Sequence, residues 1–299
     1  MNFYPFSHFS TIHEEFSKME DQKKELCGPF TLAYLLRGIG FKKMEKNEIY
    51  QDYAASIARV NITLEEAKRW REITSSIKKG LMSREEAEEK FEEVLYDFEL
   101  PVTKDPKEAG CSTEGLKFAC ESITDWRIAV IPIPSRGDKI YFTRDRFIKL
   151  IELLKELRSA NIEVIANYNT GKLLDVEDRS YNLVNIILRD SSFFPLSKWV
   201  AGHFVNLAGF WEFEGNKDTH AIIRDTHKRF GFQGYHLQPL ENFRKALIRD
   251  DGREGGLLIL VPDENQMKVE EGILDLGLPL RILDNGSPFR SAHEAGKRS

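Results

Sequence analysis

Cysteine is scarce in this chain: three in 299 residues, at Cys27, Cys111 and Cys120. An odd number in a chain of this size excludes a disulfide framework as the basis of folding. No C-x-x-C pair occurs, which argues against a structural zinc site. The thiols are therefore expected to be free and the protein cytoplasmic, in a reducing compartment. Long apolar runs are missing as well. A typical one, G-L-L-I-L-V at residues 256–261, is far too short to span a bilayer. The opening M-N-F-Y-P-F-S-H-F-S lacks a basic start followed by an apolar stretch, so no secretory leader is expected. No dense Lys/Arg run is present, and a net charge of -5 with both signs interspersed argues against a nucleic-acid-binding surface. Internal repeats and low-complexity tracts are absent too. What is there is ordinary globular material, 41% hydrophobic with 20 Phe, enough to build a core.

The apolar pattern divides the chain. The aromatic-studded residues 1–21 are expected to wrap onto the domain; the alternative is a self-inhibitory segment lying in a cleft. Residues 28–39 read as a buried helix, because Phe30, Leu32, Ala33, Leu35, Leu36 and Ile39 cover most of its circumference. Gly38 and Gly40 end it. Residues 42–100 are charge-rich and helical in pattern. Thr63 with Glu66, and Ser83 with Glu86, have the capping-box spacing. We read this stretch as a helical insertion or lid, the alternative being ordinary helices decorating the core. Residues 100–110, with Pro101 and Pro106, are loop.

Beyond it the pattern predicts a helix at 113–120, a strand at 126–133, and a helix capped by Thr143. Phe147, Leu150, Ile151, Leu154 and Leu157 line that helix, and Asn161 ends it. A strand at 162–168 and a β-branched run at 181–188 follow. Strands at 203–213 and 219–225 are joined by the turn E-G-N-K-D. A helix at 240–248 and a buried strand at 256–261 complete the pattern. After Pro262 it fades, and residues 263–299 are expected to be a C-terminal extension, partly disordered. Helices first and antiparallel strands later predict an α+β fold, with one domain over residues 1–262.

Cys27 stands ahead of the apolar helix rather than inside it, with Gly28 and Pro29 behind it. The first turn of a helix faces the positive end of the helix dipole, which favours a thiolate. Taken alone, such a cysteine is more often a small buried residue. A thiol nucleophile needs a base and a group that holds the base. Of the 7 histidines, His203 stands out because it opens a strand right after Gly202, where small neighbours leave access to the ring. A hairpin folded around residues 214–216 puts Asp225 within one or two ladder positions of His203. That is close enough for contact if both side chains lie on one face. A carboxylate there would fix the tautomer and stabilise the imidazolium. The alternatives are a core or strand-end histidine, and an aspartate that merely caps Thr226 and His227. Cys111 and Cys120 read as packed residues. Asp225, His227 and His220 are too scattered for a metal, so neither metal nor cofactor is expected.

Taken together, C-G-P before an apolar helix, then G-H-F-V-N-L-A-G-F, then I-I-R-D-T resemble the papain-like cysteine peptidases. The resemblance is to the branch that includes bacteriocin-leader-processing peptidases and their stand-alone relatives. The segments G-C-S-T-E-G-L-K-F-A-C-E, N-I-E-V-I-A-N-Y and G-Y-H-L-Q-P-L-E-N-F-R-K-A-L are similar to other parts of that family. Most of residues 22–261 is touched, with C-G-P, G-H and the later aspartate the specific part. The resemblance implies a helical layer carrying Cys27, packed on an antiparallel sheet carrying His203 and Asp225. It also implies Gln22 as an oxyanion donor beside the Cys27 N–H. Gln22 departs from the pattern, standing at Q-x4-C where the family usually has five residues between; on its own it reads as a solvated residue of D-Q-K-K-E. The long gap from Cys27 to His203 fits the helical insertion. The implied activity is cleavage of a peptide or leader-peptide amide bond through a thioester. The same thioester serves acyltransferases, transglutaminases and amidases, and a non-catalytic papain-like scaffold that binds a peptide is the third possibility.

Overall fold

A computed structural model of the chain describes residues 2–22, 26–44, 47–58, 60, 76, 81–83, 86, 110–174, 176–178, 192–194, 201–213 and 219–287. In chain order, strand β1 (Asn2–Pro5) leads into helices α1 (Phe9–Lys18) and α2 (Cys27–Ile39). A short ribbon, β2 (Lys43–Met44) with β3 (Asn47–Glu48), precedes α3 (Gln51–Ile57). Then come α4 (Thr113–Ile123), β4 (Ile128–Pro134), α5 (Arg144–Glu156) and β5 (Glu163–Asn169). A second ribbon pairs β6 (Val176–Asp178) with β7 (Ser192–Phe194). The chain continues through β8 (Gly202–Glu212), β9 (Thr219–Arg224), β10 (Tyr235–Pro239), α6 (Leu240–Ile248), β11 (Gly256–Pro262) and α7 (Gln266–Asp275).

The fold is α+β. Its sheet has 7 strands in the order β10-β9-β8-β5-β11-β4, with β1 added along β8, and its pairings are antiparallel. The runs I-A-V-I-P-I-P and G-L-L-I-L-V-P are apolar throughout because both faces of the sheet are covered. Side chains alternate between two cores. Ala129, Ile131, Ile133, Val164 and Ala166 pack with α5, α6 and α7. Ile128, Val130, Ile165 and Phe204 pack with α1, α2, α3 and α4. Full burial of one such aliphatic side chain stabilises by roughly 1.5–3 kcal/mol, so these two layers are the main source of stability.

Several expectations need correcting. The N-terminal stretch is more than a wrapping: β1 joins the sheet, and Ile12 and Phe16 of α1 are buried in the second core. Residues 263–287 are not a loose extension. In α7, Val269 and Ile273 sit four apart on one face and are fully buried, and Leu278 and Leu283 follow them into the cores. The exposed Met267 and Leu274 blur that stripe in the sequence. Within 42–100, α3 packs Ala54 and Ala55 into the second core. Ser83 and Glu86 do form the capping box: the Ser83 N–H donates to Glu86 Oε2 at 2.9 Å, and the Glu86 N–H to Ser83 Oγ at 3.1 Å. The Thr63–Glu66 box, the loop at 101–109, the run at 181–188, the turn at 214–218 and residues 288–299 lie outside the described residues. No helix among the described residues is long and apolar enough to cross a membrane.

Candidate active site

Cys27 is the first residue of α2. The helix starts at Leu26, whose carbonyl accepts from the Phe30 N–H at 2.8 Å, and no side chain caps it. Pro29 is tolerated in the first turn because its missing N–H would have had no helical partner there. Gly28 is a packing requirement. A Cβ there would lie 3.0 Å from Leu116 Cδ1 and 3.2 Å from Cys111 Cβ, so any larger residue would require those neighbours to shift. Among the described residues no side chain caps this end of the helix, and its first N–H groups lie at the positive end of the dipole.

His203 reaches this end through a register device. In the outer part of the hairpin, Gly209 pairs with Ile222; past a bulge, Leu207 pairs with Ile223 and Asn206 with Arg224. The bulge shifts the pairing by one residue, and a one-residue shift moves every later side chain to the opposite face. Without it Asp225 would share a face with Asn206; with it Asp225 shares the face of Val205 and His203. Gly209 makes the bulge possible: its φ is +148°, and a Cβ there would meet the Tyr4 carbonyl oxygen of β1 at 2.4 Å.

His203 Nε2 lies 3.2 Å from Asp225 Oδ1 and 3.3 Å from Thr226 Oγ1. The Cys27 side chain is within hydrogen-bonding reach of the same ring. The three groups meet at the end of β8, where the sheet no longer separates the two cores. Burial works against the His203 imidazolium. The charge and hydrogen bond of Asp225, reinforced by Cys27, outweigh burial and push its pKa up to about 10. Burial also opposes the Asp225 charge, but His203 and then His236 hold that carboxyl well below the usual carboxylate range. Asp225 Oδ1 additionally accepts from the His227 N–H at 2.9 Å. The rings of His203 and His227 stack at 5.7 Å, and Tyr168 meets His203 edge-on at 6.1 Å. A thiol, an imidazole protonated at neutral pH and a carboxylate beside an uncapped helix end can attack a carbonyl and hold the charge that develops on its oxygen.

Access differs from the sequence reading. His203 is 2% exposed and Asp225 0%, while Cys27 is half-buried. Gly202 is itself exposed, with the Arg249 guanidinium 2.8 Å from where its Cβ would lie, but the His203 ring beside it is buried. Gln22 lies in the connection between α1 and α2, half-buried with its Oε1 out of solvent. Cys111 and Cys120 are buried, and burial pushes both thiols up. His220 stands at the far end of β9 against Phe213, away from Asp225, and no group of metal-ligating side chains forms among the described residues. A cavity of about 720 Å³ opens at that far end, beside Arg144, Glu212, His220 and Arg244, and neither Gln22, Cys27, His203 nor Asp225 lines it.

Sequence reasoning missed Tyr168, His236 and Gln238. The readable signal was in β10, where Y-H-L-Q-P buries its polar residues, His236 and Gln238, and exposes Leu237. That inverts the usual half-buried strand. Over residues 6–284 the chain matches a family of unknown function, DUF6885. The match covers most of the chain, which belongs to that family. No curated protein matches it.

Proposed function

We propose that this DUF6885 family member is a cysteine hydrolase of papain-like arrangement, cutting a peptide or leader-peptide amide bond. One observation carries the reading: Cys27, at the open end of a helix, is in hydrogen-bonding reach of His203, and His203 is bonded to Asp225 at 3.2 Å. The layering supports it too, with Cys27 on a helix against one face of an antiparallel sheet, His203 on β8 and Asp225 just past the end of the neighbouring β9. With Nε2 facing Asp225, the ring nitrogen left for the sulfur is Nδ1.

Cys27 passes its thiol proton to His203, and the resulting thiolate attacks the carbonyl carbon; the oxyanion is held by the Cys27 and Gly28 N–H groups, with Gln22 as a side-chain donor. His203 gives its proton to the leaving amine as the C–N bond breaks, leaving a thioester. Water, deprotonated by His203, then attacks the thioester; the acid leaves and the thiol is restored. An amine in place of water would make the same site an acyltransferase. The need for a free thiol fits a reducing compartment such as the cytoplasm, and all three cysteines are free.

The first test is iodoacetamide labelling at pH 6. Cys111 and Cys120 are too buried to serve as references, so the comparison is with glutathione. Cys27 should react much faster. A peptide library read by mass spectrometry, with and without added amine, then separates cleavage from transfer. Labelling no faster than glutathione, together with an unchanged library, would favour a peptide-binding scaffold.

A further inference from the structure

Behind Asp225 lies a second buried imidazole that the chemistry above does not use. His236 is 6% exposed, and its Nε2 stands 3.7 Å from Asp225 Oδ2. On its other side, Nδ1 is 3.2 Å from Gln238 Nε2. The orientation of the Gln238 amide is settled by the backbone of Leu174. The Leu174 N–H donates at 2.8 Å, so the atom accepting it is Oε1. Gln238 Nε2 in turn donates to the Leu174 carbonyl at 3.2 Å. One N–H of that amide remains, and it points at His236 Nδ1. A nitrogen that accepts carries no proton, so the ring proton sits on Nε2, facing the carboxylate.

We propose that His236 is a positioning residue: Gln238 holds it as the Nε2–H tautomer, and it aims that N–H at Asp225 Oδ2, keeping Oδ1 turned to His203. The proposal rests on the cysteine-hydrolase reading of the site. At 3.7 Å the attraction is electrostatic rather than a full hydrogen bond, but Asp225 is 0% exposed, so solvent does not screen it. Oδ1 is already committed to His203 Nε2 and the His227 N–H. Oδ2 is the arm by which the carboxylate plane is fixed. Burying an imidazole and an amide in an aliphatic layer is unfavourable unless they are bonded, and here the bonds run from the Leu174 backbone through Gln238 to His236, which faces Asp225. The effect of His236 in lowering the Asp225 pKa has the sign this contact requires.

Two measurements on the full-length protein test the proposal. Long-range proton–nitrogen correlation spectra of the histidine rings at pH 7 should place the His236 proton on Nε2; a proton on Nδ1 overturns it. Cys27 labelling at pH 6 is then compared in His236→Met, which removes the donor, and His236→Gln, whose amide can place an N–H near the same point. Misplacing a catalytic group slows reaction steeply, so H236M should label roughly tenfold slower and H236Q within about threefold of wild type. If H236M labels at the wild-type rate, the proposal falls and the hydrolase reading stands. Wild-type Cys27 labelling no faster than glutathione removes the reading itself and the proposal with it. Should H236M not fold, judged by its melting curve, the wild-type ring spectra decide alone.

Discussion

Two helices on the same face of the sheet begin beside a cysteine, and they begin differently. At α4 the end is closed. Ser112 Oγ accepts from the Gly115 N–H at 2.9 Å, and Asn285 Oδ1 from the Thr113 N–H at 3.3 Å. Cys111, just ahead, is 2% exposed, and its thiol is pushed well up by burial. At α2 the end is open: Leu26 offers no side-chain cap, and Cys27 is half-buried beside His203. The dipole is common to both ends. What differs is whether the first amides are already satisfied and whether a base stands by. A helix start alone therefore does not mark a nucleophile; the proposed function rests on a start without a side-chain cap that also has an imidazole beside it.

The sharpest way to break the comparison is to exchange the roles of the two thiols by deletion. Cys27→Ala should lower turnover of a cleaved library peptide by on the order of 10⁴-fold or more, with the fold intact by circular dichroism. Cys111→Ala should keep turnover near wild type and lower stability by roughly 1 kcal/mol, read from denaturant unfolding. Equal loss of activity in both would erase the distinction. Next in size, Gln22→Ala should lower kcat by about 10²-fold with little change in KM, as expected for a donor that acts on the oxyanion.

The α2 end also carries a pH signature, from an imidazole and a carboxylate that the α4 end does not share. The His203 pKa is raised to about 10, so its stabilising contribution is full below its unfolded value, about 6.5, and is lost as pH rises through about 10. The Asp225 pKa is depressed, so its contribution is present above about 3.9 and is lost only as pH falls well below that. The pair therefore stabilises most between roughly pH 4 and 6.5 and declines from there to about 10. In Asp225→Asn the melting temperature should fall less steeply over that upper window than in wild type. A wild-type profile as flat as that of the variant would remove the coupling.

Much of this was legible, for identifiable reasons. Helix α2 and the cap at Thr143 could be read because their signals are local: an apolar circumference and a hydroxyl at the right spacing. Cys27, His203 and Asp225 were legible as residue types in a plausible order. Their meeting was not, because it depends on the bulge at Gly209, and the only trace of that is a glycine in L-A-G-F that could equally have been a plain strand residue. Strand β1 was hidden for a similar reason. Four residues, N-F-Y-P, pair with the far end of β8, a contact no local pattern encodes. His236 and Gln238 were passed over because polar residues on a strand are read as facing solvent, and here they face the carboxylate.

Where the two helix ends touch, the comparison can be sharpened. Gly28→Ala puts a methyl 3.0 Å from Leu116 and 3.2 Å from Cys111, both buried in the second core. Overpacking of that kind costs roughly 1–3 kcal/mol, and the strain falls on the residue after Cys27. Activity should fall along with stability, because the new methyl pushes α2 away from α4 and tilts the open N–H groups. The smallest effect belongs to the closed end. Ser112→Ala removes one cap and should lower stability by about 1 kcal/mol. It should leave the rate and pH profile of Cys27 labelling unchanged, because Ser112 bonds inward to Gly115 while Thr113 is still held by Asn285. If losing that cap instead quickened labelling at Cys111, the closed end would have been kept unreactive by its cap rather than by burial, and capping rather than the neighbouring imidazole would be the property that separates the two cysteines.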